Sequence, residues 1–126
     1  MEQKKRIIEF VKGVLGCKCP DEVFEQIDAG VGHPFGNTRL QTMTIGERLL
    51  IYIWPTNDTS LVRAHLESML LKGMKERDQR GLNRFRAVIA TDHVEPMGAI
   101  AEEIFRDFRA RDKAVHLHVV PAHDCP

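Results

Sequence analysis

Residues 48–54 read Arg48-Leu49-Leu50-Ile51-Tyr52-Ile53-Trp54, and Pro55-Thr56-Asn57-Asp58-Thr59-Ser60 follows. A short run this apolar suits a strand covered on both faces, as in the centre of an α/β sheet. Pro55 ends it by removing a backbone donor. Asn57, Asp58, Thr59 and Ser60 then offer N-caps for a long helix to about Arg77, whose Val62, Leu66, Met69, Leu70 and Gly73 recur at helical spacing. The strand–helix unit repeats downstream. Asp78 to Asn83 reads as a loop and Phe85 to Thr91 as a strand. Pro96 opens a helix with an apolar stripe at Ile100, Ile104, Phe105 and Phe108, and Ala114 to Val120 is a last strand stopped by Pro121.

Upstream of the run, Gly46-Glu47 is a tight turn. Before it lies Thr38 to Ile45, a half-polar strand with threonines at alternate positions. Gly30 to Asn37, GVGHPFGN, reads as a loop. It lacks the Gly-Lys-Ser/Thr ending of a phosphate loop and precedes a strand rather than a helix. Two helices are expected at the N-terminus. Glu2 to Leu15 places Ile7, Ile8, Val11, Val14 and Leu15 on one face and stops at Gly16. A second opens with Pro20, carries Asp21 and Glu22 in its first turn and Val23, Phe24 and Ile27 on its apolar side, and ends near Gly30. The expected fold is therefore α/β, with residues 1–126 in a single domain. It has a mixed four-stranded sheet: an antiparallel hairpin, then the second, third and fourth strands parallel through helical crossovers.

Composition narrows the functional classes. A chain of 126 residues buries roughly two-thirds of its unfolded surface and needs no covalent staple. Eighteen basic and eighteen acidic residues cancel, so no global field steers the molecule toward nucleic acid or an anionic membrane. No run approaches the length of a membrane span, and the N-terminus lacks the apolar core of a signal peptide. The three cysteines, Cys17, Cys19 and Cys125, are an odd number without a secretory signal. They point to free thiols, a metal site or redox chemistry in a cytoplasmic, reducing compartment.

The expected topology brings chemistry to one edge. Ligands of parallel sheets gather beyond the carboxyl ends of the strands. Asn57 and Asp58, Asp92 and His93, and His123, Asp124 and Cys125 all fall there, and the antiparallel first strand brings the loop of His33 and Asn37 to the same rim. The bland readings are that Asp58 and Asp92 cap helices and that the tail residues are frayed. Cys17-Lys18-Cys19-Pro20 is the second feature. Pro20 makes Cys19 an N-cap, where unpaired N–H groups and Lys18 favour a thiolate, opposed by Asp21 and Glu22.

Three functional readings of the pair compete with inert packing. In the first, Cys17 and Cys19 hold zinc or iron with Cys125, His33, His93 or His123. In the second, they cycle between dithiol and disulfide, with the one-residue spacer making an easily reduced ring. In the third, one thiol is a nucleophile with a histidine base. His116 and His118, two apart on the last strand, are second-choice ligands, and equally residues of a half-exposed face. Lys72, Lys75, Arg77, Arg80, Arg84 and Arg86 form a basic cluster. Without an aromatic platform or a known module it reads as a solvated face and disfavours nucleic acid.

The segment Leu15-Gly16-Cys17-Lys18-Cys19-Pro20, with Glu22-Val23-Phe24 after it, resembles one in small uncharacterised proteins of anaerobic prokaryotes. The resemblance implies thiol or metal chemistry in a reducing cell and transfers no catalytic residue. Two functional expectations follow. One is a small cytoplasmic protein with a Cys/His metal or thiol redox site. The other is a non-catalytic interaction module, which pairs through the first strand as an exposed edge to give a homodimer or binds a partner through the basic cluster.

Overall fold

The computed structural model describes residues 2–18, 21–32 and 39–126. It begins with α1 (Glu2–Glu9), a π-helical turn (Phe10–Val14), a 3-10 segment (Asp21–Glu25), β1 (Ile27–Gly32), β2 (Leu40–Ile45) and β3 (Leu49–Pro55). There follow α2 (Thr59–Gln79), β4 (Arg84–Thr91), α3 (Val94–Arg111), β5 (Val115–Pro121) and a terminal 3-10 turn (Ala122–Asp124). The strands form one five-stranded sheet in the order β1-β2-β3-β4-β5. β1, β2 and β3 form an antiparallel meander. β3, β4 and β5 are parallel, joined through α2 and α3.

Strand parity divides the apolar side chains into two cores, because successive residues point to opposite faces. Leu50, Tyr52 and Trp54 of β3 and Phe85, Ala87 and Ile89 of β4 pack beneath α2 and α3. Leu49, Ile51 and Ile53, with Val88 and Ala90, face Ile7, Phe10, Val11, Leu15 and Phe24 of the N-terminal segments. Leu49 to Trp54 are therefore buried throughout. Asp58 caps α2 by accepting from the backbone N–H groups of Ser60 at 2.9 Å and Leu61 at 3.2 Å. At Gly73, α2 comes so close to β4 that an added Cβ would lie 2.0 Å from a ring carbon of Phe85. The β2–β3 hairpin turns through Gly46 (φ 59°) and Glu47 (φ 55°), the two left-handed positions of a type I′ turn.

This architecture corrects the expected four strands and two N-terminal helices. The segment assigned to a second helix is a short 3-10 turn followed by β1. Gly30 and Gly32 weaken a helix through backbone entropy, and β2 offers Ile27 to Gly32 a complete antiparallel partner, from Ile27↔Ile45 to Gly32↔Leu40. The GVG of the expected loop accordingly lies in β1, and the first helix is α-helical only to Glu9, its last turn widening to π. Leu40–Ile45 is paired on both sides and is not the exposed edge on which pairing of two copies was to rest; β1 and β5 are the edges. No helix among the described residues is long and apolar enough to cross a membrane.

Candidate functional site

α1 runs against the parallel strands, so its C-terminal end reaches the edge where β3 and β4 begin. The widened turn closes with Leu15 N–H on the Phe10 carbonyl and Cys17 N–H on the Val11 carbonyl, both at 3.0 Å. Gly16, at φ 71°, makes the left-handed step between them. Cys17 and Lys18 are thereby laid beside the hairpin turn. Together with Arg48, Asn83, Arg84 and Arg86 and an apolar floor including Ile45 and Leu49, they line a cavity of about 290 Å³. The β2–β3 turn is tied to the start of β4 by Asn83 and Arg84, whose N–H groups share the Arg48 carbonyl at 2.8 and 3.1 Å.

Among the described lining residues four are cationic and none is a carboxylate. Arg86 differs from the rest. Parity places it on the α1 face with Val88 and Ala90, and it is only 7% exposed. One Nη donates to the Leu15 carbonyl at 3.0 Å and meets His118 Nε2 at 2.9 Å. A guanidinium only donates, so His118 must be neutral and accept through Nε2. Burial first, and then the charge of Arg86, depress the His118 imidazole to about 4. His116 is lowered in the same direction by burial, Arg86 and Arg84. Nε of Arg86 is buried without a hydrogen-bond partner. Burial and the neighbouring Arg84 lower the guanidinium's own pKa. An uncompensated buried charge costs several kcal/mol even after relaxation, and the carbonyl end of the α1 segment offsets only part of that.

Cys17 is half-buried against the N-terminal core and disulfide-bonded; its partner sulfur lies outside the described residues. Cys125 is a free thiol, half-buried at the opposite edge, near Pro55 and Ala90 at the ends of β3 and β4. Burial and then Asp124 push its pKa up to about 11. The two thiol positions expected to cooperate therefore stand at opposite ends of the parallel strands.

At the carboxyl edge the polar residues bind one another. Asn57 Oδ1 accepts from the Thr91 hydroxyl and from Asp92 N–H, both at 2.9 Å, and Asn57 Nδ2 donates to Asp92 at 3.0 Å. This network clips the β3–α2 loop to the β4–α3 loop. His93 begins α3 without making a side-chain cap and is exposed. His123 is exposed and contacts Asp124 at 3.4 Å. Cys19, His33 and Asn37 lie outside the described residues. His116 and His118 pair across to Arg86 and Val88 on β4, within reach of the cationic edge rather than the rim. Among the described residues no three His, Cys, Asp or Glu side chains are grouped to hold a metal.

The basic cluster also divides. Arg77 is buried and bonds Asp78 at 3.0 Å and Asp112 at 2.6 Å, joining the ends of α2 and α3, and Arg80 pairs with Glu76 at 2.7 Å. Arg84 and Arg86 belong to the cavity. The signal that singled out Arg86 was available in the sequence: in Phe85-Arg86-Ala87-Val88-Ile89-Ala90 it is a cation inside a run apolar on both faces. No protein-family model matches this chain, and no curated protein or solved structure is significantly similar to it.

Proposed function

We propose that this protein is a small thiol–disulfide exchange protein of a reducing, cytoplasmic compartment, with Cys17 and Cys19 as its redox pair. The observation that carries the reading is a disulfide-bonded Cys17 lining a cavity whose charged residues, among those described, are all cationic. Disulfides in reducing compartments are mostly transient and catalytic or redox-sensing. Nearby guanidinium and ammonium groups favour the thiolate that reduction releases, which makes the protein sulfur a better leaving group.

In the proposed step a substrate thiolate attacks one sulfur of the pair. The sulfur–sulfur bond breaks, the displaced protein sulfur leaves as a thiolate, and a mixed disulfide forms. A second substrate thiolate attacks the substrate sulfur of that intermediate, releasing a substrate disulfide and the second protein thiolate. Two electrons pass from two substrate thiols to the protein pair, and the two thiol protons pass to solvent or to the protein sulfurs. Cys125 takes no part, because it stands at the other edge with its thiol held protonated.

The metal reading of the same cysteines draws no comparable support. Of its expected partner residues, Cys125, His93 and His123 belong to the opposite edge and His33 lies outside the described residues, and a dication beside Arg48, Arg84 and Arg86 would meet like charge. The test is to equilibrate the protein in buffers of graded reduced-to-oxidised glutathione ratio, quench with an alkylating agent and map labels by mass spectrometry. The expected outcome is a reversible two-electron transition confined to the Cys17–Cys19 peptide. Unchanged dithiol across the series, with Cys17→Ser and Cys19→Ser variants altered only slightly in stability, would favour the interaction module instead.

A further inference from the structure

We propose that the cavity at the amino edge is a binding site for a phosphoryl-class oxyanion, with Arg86 at its base and Arg48, Arg84 and Lys18 at its mouth. The inference stands on Arg86 and goes beyond the sulfur chemistry. Arg86 is more than nine-tenths buried, lines the cavity, and keeps Nε without a partner. Among the described lining residues there is no carboxylate to answer it. The imidazole beside it is an acceptor and supplies no negative charge. A buried guanidinium in these surroundings is unfavourable until an anion arrives, so the anion's affinity is drawn from a cost already present in the folded chain.

The other cations fix the class of anion. Lys18, Arg48 and Arg84 are exposed and converge from three segments: the chain after α1, the β2–β3 turn and the start of β4. Four positive charges around one opening match a dianion better than a single carboxylate, and guanidinium forks match the oxygen spacing of phosphate. Asn83 adds a neutral donor or acceptor beside them. The volume of about 290 Å³ exceeds what inorganic phosphate fills and lies at the small end of the range for organic ligands. A small phosphorylated molecule, its phosphoryl group on Arg86 and its remainder toward Ile45 and Leu49, is the ligand that fits.

Isothermal titration calorimetry with inorganic phosphate on the full chain tests this, with acetate and chloride at matched ionic strength alongside. Saturable phosphate binding at one site is expected, weakened at least tenfold in Arg86→Met and in Arg48→Met and unchanged in Arg106→Met, an exposed cation on α3. Arg48 is exposed, so its variant reports on the site even where Arg86→Met disturbs folding. Saturable phosphate binding by a protein whose cysteines show no two-electron transition in the glutathione series would uphold this inference without the redox reading, so the two failures stay distinguishable. Binding that does not saturate, that acetate matches, or that persists at full strength in Arg48→Met would overturn it.

Discussion

Acidification is expected to destabilise this protein through His118. The folded imidazole is depressed to about 4 by burial and then by Arg86, from an ordinary value of 6.5. Unfolding restores that ordinary value. Between those limits the unfolded chain therefore binds the extra proton, and stability falls as pH falls through the window. The full shift is worth about 3 kcal/mol at roughly 1.4 kcal/mol per unit. Partial exposure of the ring and solvent screening reduce the expected loss to about 1–2 kcal/mol. Asp112, whose pKa is lowered by Arg77, acts on more acid ground and leaves this range nearly clear. His116 shifts in the same direction and sets a background that persists in a His118 variant. His118→Gln removes the titration while keeping an acceptor for Arg86. Urea unfolding at about pH 7 and about pH 4.5 measures both proteins. The parent should lose about 1–2 kcal/mol more than the variant. Equal losses would refute the placement of a neutral imidazole against Arg86.

Three further expectations concern the frame around the site. Gly73→Ala should cost about 2–3 kcal/mol in urea unfolding by overpacking, since the new Cβ would lie 2.0, 2.3 and 2.5 Å from three Phe85 ring carbons; an unchanged midpoint would mean that α2 sits further from β4. Asp58→Ala should cost about 1 kcal/mol through loss of the α2 cap, read in the same assay, and a cost near zero would contradict the two bonds to Ser60 and Leu61. Cys125, pushed up to about 11, should alkylate about a hundredfold more slowly in native protein at pH 8 than in denaturant. Comparable rates would mean that its burial is not maintained.

The parts of the fold legible in the sequence were those where local chemistry and tertiary packing agree. Leu49 to Trp54 are apolar on both parities because helices or turns cover both faces, and α2 announces itself through Asp58 and a stripe of Val62, Leu66, Met69 and Leu70. β1 was not legible. Ile27 to Gly32 is mostly exposed and rich in glycine, so nothing in its own side chains distinguishes a strand from a helix end; its conformation comes from pairing with β2, further along the chain. The thiols followed a different logic. Strand direction alone drew Cys125 and His123 to the carboxyl edge. Cys17 is carried to the amino edge by α1, whose antiparallel lie depends on packing Ile7, Phe10, Val11 and Leu15 over the sheet. Arg86 was countable as part of a basic run, but its meaning came from parity, which turns it and Arg84 away from Arg77 and Arg80.

Fully reduced protein, alkylated at Cys17 across a pH series and followed by mass spectrometry, addresses the cationic cavity and its sulfur together. The thiolate should appear with a midpoint clearly below the ordinary value of about 8.5 and should shift upward in Arg48→Met. A midpoint at or above that value, unmoved by loss of Arg48, would contradict the account.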